Sequence, residues 1–225
     1  DGALVLPYCV LTRASTGQLS LRVRRSTTGG ESFQEEQILH DYRVEQKVFE
    51  SSWGFPMMAV DPGSAAFKDR LYLVWAEVSG ASTSIMASIS KDAGVTWSPP
   101  VVVSDLPEPK QDAGSGRRYA LLPTVAVNRP GTVAVCWYDA SLSSREEFRC
   151  DLRIRASVDG GATWLPSVAV TDVSSTYAIG SRGSRLGWLG DTAGLAADSA
   201  GAFHPLWIDN RTGVKQVFTA SVLVK

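Results

Sequence analysis

Arginine supplies 16 of the 22 basic side chains in this chain, and several of these arginines stand in loop-like stretches rich in Gly and Ser. A guanidinium meets a carboxylate through two parallel hydrogen bonds, a geometry that lysine cannot reproduce, so the bias suits an acidic ligand. Arg117 and Arg118 fall in one such stretch, Arg182 and Arg185 in a second, and Arg211 follows the apolar run that ends at Asp209. The alternative for each is pairing with a neighbouring acid or with solvent. Asp191 opens Gly190-Asp191-Thr192-Ala193-Gly194, where it can accept a ligand hydrogen bond, act as a general base, or cap a turn. Glu77, Asp139 and Asp209 each stand two residues after a tryptophan, and that recurrence points to a shared hairpin role.

Other chemistries lack their parts. The two histidines, His40 and His204, have no Ser-His-Asp pattern and no cluster of metal ligands around them, so neither a metal nor a cofactor is expected. Gly114-Ser115-Gly116 lacks the strand-to-helix setting of a phosphate loop and reads as a flexible turn.

The elements that must position these groups show up as a repeat. Ser90-Lys91-Asp92-Ala93-Gly94-Val95-Thr96-Trp97 and Ser157-Val158-Asp159-Gly160-Gly161-Ala162-Thr163-Trp164 share the pattern Ser-x-Asp-x-Gly-x-Thr-Trp, and Ser26-Thr27-Thr28-Gly29-Gly30-Glu31-Ser32-Phe33 is a degenerate copy. In such a turn the Asp can accept backbone N–H groups, the Gly can supply a positive φ, and the Trp can anchor the exit strand. Aligning the copies exposes short apolar runs before each: 56–61, 123–128 and 193–198, then 71–77, 133–139 and 203–209, then 84–89, 151–156 and 215–220, then 100–103 and 167–170. Near the N-terminus 4–9, 19–24 and 36–39 read as the second, third and fourth members of the same unit. Fourteen strands follow, and no segment keeps a helical apolar period.

The eight-residue motif resembles the Asp box, or BNR repeat, of the sialidase-type β-propellers. The resemblance implies an all-β fold of four-stranded antiparallel blades, about three and a half of them here (3–48, 53–105, 119–172 and 188–225), as part of a ring usually six-bladed. In the family the box turn lies away from the active face, so Ser90, Asp92, Gly94, Thr96 and Trp97, with Ser157, Asp159, Gly161, Thr163 and Trp164, carry structure and not chemistry. The loops leading into the first strands (42–54, 107–119 and 173–191) and those joining second and third strands lie at the opposite end, and place Arg117, Arg118, Arg182, Arg185 and Arg211 there as substrate ligands. Sialidases use a tyrosine nucleophile, and by location Tyr42, Tyr119, Tyr138 and Tyr177 qualify; Tyr177 and Asp191 are the expected catalytic pair. The family's Arg-Ile-Pro motif is absent from these 225 residues, as is a match to its acid/base loop.

Bulk properties narrow the partners. With 22 basic and 23 acidic residues there is no global charge to attract nucleic acid, and no apolar stretch approaches the roughly 18 residues of a membrane span. Cys9, Cys136 and Cys150 have no metal-type spacing; Cys136 and Cys150 are the one pair near enough to test for a disulfide. Asn210-Arg211-Thr212 is a formal glycosylation sequon of a kind expected by chance. The expected function is a secreted, periplasmic or surface glycoside hydrolase acting on acidic, including sialylated, glycans. A noncatalytic propeller binding a glycan or protein is the alternative, and a purely structural module a third reading. Missing blades would come from a longer chain or from self-association.

Overall fold

A computed structural model describes residues 2–13, 17–44, 55–79, 82–105, 118–142, 147–178 and 193–225. Among them are fifteen strands and no helix. Sheet 1 is β1 (Leu4–Arg13), β2 (Gln18–Ser26) and β3 (Gln37–Arg43); sheet 2 is β4 (Met57–Val60), β5 (Leu71–Ser79), β6 (Ser82–Ser90) and β7 (Val101–Val102). Sheet 3 is β8 (Arg118–Val127), β9 (Val133–Leu142), β10 (Glu147–Ser157), β11 (Val168–Ala169) and β12 (Ser175–Ala178); sheet 4 is β13 (Gly194–Ala197), β14 (Phe203–Asp209) and β15 (Gln216–Thr219). Within each group all pairings are antiparallel, and one parallel bridge, Thr83 to Tyr119, joins sheets 2 and 3 into a single nine-stranded hydrogen-bonded sheet, so the four sheets named here divide that one at its single bridge.

The fifteenth strand is the departure from the sequence expectation. β12 pairs with the upper half of β10 while β11 pairs with its lower half, so the outer edge of sheet 3 is built from two short pieces. Residues 175–178 were expected to be loop because the Ser-Thr-rich run around them carries no long apolar period. Cross-strand hydrogen bonding to β10 overrides that weak local signal.

The four sheets pack face to face in chain order. Leu19, Leu21 and Val23 of sheet 1 meet Leu73 and Trp75 of sheet 2; Val74 and Ile85 of sheet 2 meet Val135 and Trp137 of sheet 3; Tyr138 and Leu152 of sheet 3 meet Trp207 of sheet 4. Strand alternation explains the regularity: Trp75, Trp137 and Trp207 each face the preceding sheet, while Ala76 and Tyr138, the successors of the first two, face the next. Cys136 and Cys150 are free, and they are out of register, opposite Ile154 and Ala140.

The repeated turns are one structure made twice. Ser90 Oγ accepts the Gly94 N–H and Ser157 Oγ the Gly161 N–H, each at 2.8 Å; Asp92 and Asp159 each accept the N–H four residues on at 2.8 Å and the Thr hydroxyl at 2.5 Å. Gly94 and Gly161 both have φ +87°. The degenerate copy keeps the scheme with a hydroxyl in place of the carboxylate: Ser26 Oγ accepts from Gly30 N–H and Thr28 Oγ1 from Ser32 N–H, both at 3.0 Å. Neighbouring sheets are tied at the same carbonyl of the turn, Arg25 Nε donating to Ala93 O at 2.9 Å and an Arg70 Nη donating to Gly160 O at 2.7 Å.

Trp97 packs back on the core between sheets 1 and 2, and Trp164 on that between sheets 2 and 3. Both indoles are half-buried, so Trp97→Ala and Trp164→Ala should each cost about 2 kcal/mol, below the value for a fully buried aromatic. Denaturant midpoints check this, and unchanged midpoints would show the indoles to be dispensable.

Candidate functional site

The upper end of the sheets, opposite the repeated turns, carries the β5–β6, β9–β10 and β14–β15 connections. Here the three Trp-x-acid pairs reach the ends of their strands, and each acid has acquired a different cationic or basic partner. Trp75 Nε1 donates to Glu77 Oε2 at 2.9 Å, and the same oxygen lies 2.9 Å from His40 Nε2 of sheet 1. Trp207 Nε1 donates to Asp209 Oδ2 at 3.3 Å, and Arg211 donates to that oxygen through Nε at 2.9 Å and an Nη at 2.6 Å. In sheet 3, Asp139 Oδ2 accepts from Arg118 at 2.9 Å, while Asp139 Oδ1 and Trp137 Nε1 are buried without partners among the described residues.

Asp209 is the best-served of these acids. It is fully buried, and Ser175 Oγ of sheet 3 donates to its Oδ1 at 2.6 Å, joined by the Arg211 N–H at 2.8 Å. Burial works against the charge, but the bonds from Arg211 and Ser175 outweigh it and hold the carboxyl at about 2. Asp139 has the opposite balance: burial pushes its carboxyl above the usual range although Arg118 and Arg153 pull it down.

Around Asp209 the two sheets are clasped. The Tyr138 hydroxyl accepts the Ile208 N–H at 2.8 Å and donates to Ile208 O at 3.2 Å; the Asn210 side-chain amide donates to Thr176 O at 2.5 Å; Arg211 reaches Asp172 as well. The amide nitrogen of the sequon is therefore committed in the folded chain.

Two expected site residues have other work in this arrangement. Tyr177 lies on β12 and not in a loop, is 2% exposed, and donates its hydroxyl to Ile208 O at 3.3 Å; burial pushes it up to about 12. A nucleophile must present its oxygen to substrate, and this one is spent inside the clasp. Arg211, expected to hold a substrate carboxylate, is instead occupied by Asp209 and Asp172 and stacks over Phe218 with its guanidinium carbon 4.8 Å from the ring centre. Arg118, at the start of β8, pairs with Asp139 and keeps 29% of its side chain exposed. Arg117, Arg182, Arg185 and Asp191 lie outside the described residues. The Ser175 and Asp172 contributions were missed; the sequence signal that could have found them is the Asp209-x-Arg211 spacing, which leaves one arginine edge for a second acid. No group of His, Cys, Asp and Glu among the described residues is arranged to hold a metal ion, and no described helix is long and apolar enough to cross a membrane.

No protein-family model and no curated protein sequence matches the chain. Solved structures do. A Hadza microbial sialidase aligns over 97% of this chain and 42% of its own, with TM-score 0.58 and 17% identity. An ulvan lyase of a polysaccharide lyase family aligns over 99% and 53%, with TM-score 0.55 and 13% identity. A protein of unknown function from Dyadobacter fermentans aligns over 98% and 57%, with TM-score 0.51 and 16% identity. The chain thus spans about half the length of the structures it resembles. The likeness is one of fold: antiparallel sheets in a sialidase-like all-β arrangement, shared across nearly the whole of this chain.

Proposed function

We propose that this chain is an arc of a sialidase-type β-propeller, its four sheets being blades and its repeated turns Asp boxes, and that its arginine-bearing upper end binds an acidic glycan. The observation that carries the reading is Arg118: a guanidinium at the start of β8, the first strand of sheet 3, held by a buried carboxylate and partly open to solvent. Arg117, Arg182 and Arg185 would complete the acidic-sugar site, with Asp191 as hydrogen-bond acceptor or base. A propeller supports this by radial repetition, which seats loops from successive blades around one mouth. The neighbours in fold include a sialidase and a polysaccharide lyase, both of which act on glycans by their names. An extracellular or periplasmic setting and missing blades supplied by more polypeptide or a second copy belong to the same proposal.

Recognition is a better account of the described residues than tyrosine-based hydrolysis. Tyr42, Tyr119, Tyr138 and Tyr177, the four candidate nucleophiles, are all buried. Titration with sialic acid and with a neutral hexose tests the binding. Arg118→Ala, Arg182→Ala and Arg185→Ala should each weaken sialic acid binding by about 1.5 to 3 kcal/mol, the scale of a charge-assisted hydrogen bond. Arg153→Ala should do little, because that side chain is committed to Ser167 on the outer edge. Equal or absent binding of both sugars would reject the acidic-glycan reading; turnover of a fluorogenic sialoside would restore the hydrolase.

A further inference from the structure

The lower end of the sheets holds a cleft that the upper-end chemistry does not use. Its walls are the first hairpin turns of sheets 2, 3 and 4, and each is closed by the side chain that ends the first strand. Asp61 Oδ1 accepts the Gly63 and Ser64 N–H groups, Asn128 Oδ1 accepts the Thr132 N–H, and Asp198 Oδ1 accepts the Ala200 and Ala202 N–H groups, all between 2.7 and 2.9 Å. The turns are also fastened to one another. Asn128 Nδ2 donates to Gly201 O at 2.9 Å, and Gly131, at φ +95°, sits so tightly on the first turn that a Cβ there would lie 2.6 Å from Ser64 Oγ. Three interlocked turns make a preformed concavity of about 430 Å³, at the small end of the range of ligand sites.

The lining has a distinct chemistry. Arg129 projects, exposed, from the middle turn, which the Gly131 N–H closes by donating to Asn128 O at 3.0 Å, and among the described residues its guanidinium makes no hydrogen bond or ion pair. Across the cleft stand Asp198 and the exposed Ser199, and Pro62, Val127 and Ala197 give apolar wall. Asp198 Oδ2 is 2.8 Å from His204 Nε2, leaving that oxygen with unused acceptor capacity. An anion would meet one cation, Arg129, and one carboxylate, Asp198, with the negative charge of Asp61 buried behind the first turn. A neutral ring bearing hydroxyls suits the cleft better. Its hydroxyls can accept from Arg129 and donate to Asp198 while its C–H face covers the apolar wall, and it incurs no desolvation of a charge.

We propose that this cleft is a second binding site, for a neutral pyranose unit of a saccharide, at the end of the molecule opposite the arginine-bearing mouth. It is independent of the acidic-glycan reading, because it shares no residue with the upper end. Methyl glycosides of glucose, galactose and mannose are the probes, each titrated against the whole chain with amide resonances followed by NMR, and acetate and sialic acid in parallel. At least one glycoside should shift Arg129, Gly131 and Ser199 with a Kd in the millimolar range, about 4 kcal/mol of binding. Arg129→Ala should raise that Kd about five-fold, the effect of losing one hydrogen bond, and Arg118→Ala should leave it unchanged. No shift at these three residues with any glycoside, or a Kd indifferent to Arg129→Ala, would overturn the proposal. So would tighter binding of acetate at the same residues, which would make the cleft an anion site.

Discussion

Asp209→Asn should lower the stability of the folded chain by about 3 to 4 kcal/mol, the cost of removing one partner of a buried ion pair, whereas Asp139→Asn at the equivalent register position should change it by less than about 1 kcal/mol. The two acids differ in what surrounds them. Asp209 is fully buried and answers Arg211, Ser175 and Trp207, so neutralising it leaves the Arg211 guanidinium only the exposed Asp172 as a charge partner and weakens the seam between sheets 3 and 4. Asp139 is nearly as secluded, but its Oδ1 has no partner among the described residues, and Arg118 beside it keeps 29% of its side chain exposed. Neutralising an already burdened carboxylate removes a desolvation penalty along with the attraction.

The pH dependence follows with opposite signs. The folded carboxyl of Asp209 titrates at about 2, below the roughly 3.9 of an unfolded aspartate. Its stabilisation is therefore fully present above about pH 4 and lost as pH falls through about 2. Asp139, raised by burial, binds its proton more tightly in the folded state, so its contribution declines as pH rises above the ordinary carboxyl range. Chemical denaturation of the wild type and both variants between about pH 2 and 7 measures these differences directly. Equal midpoints for wild type and Asp209→Asn at neutral pH would mean the clasp between sheets 3 and 4 contributes nothing.

The second large effect is expected at Gly161. Its φ of +87° is unfavourable for any residue with a side chain, and a Cβ would lie 2.2 Å from Ile89 Cδ1 of the neighbouring sheet. Gly213 has nearly the same backbone, φ +85°, with nothing within 4 Å. Gly213→Ala should thus show conformational strain alone, about 1 kcal/mol, and Gly161→Ala strain plus overpacking, about 3 kcal/mol. The difference between the two thermal or denaturant shifts isolates the packing term. If both alanine variants lose the same amount, Ile89 has room to rotate away and the close approach of the turn to sheet 2 is not a constraint.

The turns and strands were legible because their signals are local. Ser, Asp, Gly and Thr at fixed offsets in 90–97 and 157–164 need only their own backbone to make their hydrogen bonds, and even Thr28 in place of the Asp kept the scheme. Apolar runs likewise reveal buried strands, because a strand's period is set by its own residues. The sequence alone therefore determined an all-β repeat, the places of Trp75, Trp97, Trp137, Trp164 and Trp207 in it, and the arginine bias of its loops.

Which arginine is spoken for, and by which acid, depends on residues brought together from distant parts of the chain. Arg211 and Tyr177 look available in the sequence, since their partners Asp172 and Ile208 lie 39 and 31 residues away in the chain. β12 was hidden for the same reason: its hydrogen bonds belong to β10, not to its own composition. The lower cleft exists because Asn128 reaches Gly201 and Gly131 rests on Ser64, contacts between turns that no periodicity encodes. Local chemistry thus fixed the modules, and only their packing decided which polar groups were consumed in holding sheets together, as Arg211 and Tyr177 are, and which keep exposed surface, as Arg118 and Arg129 do.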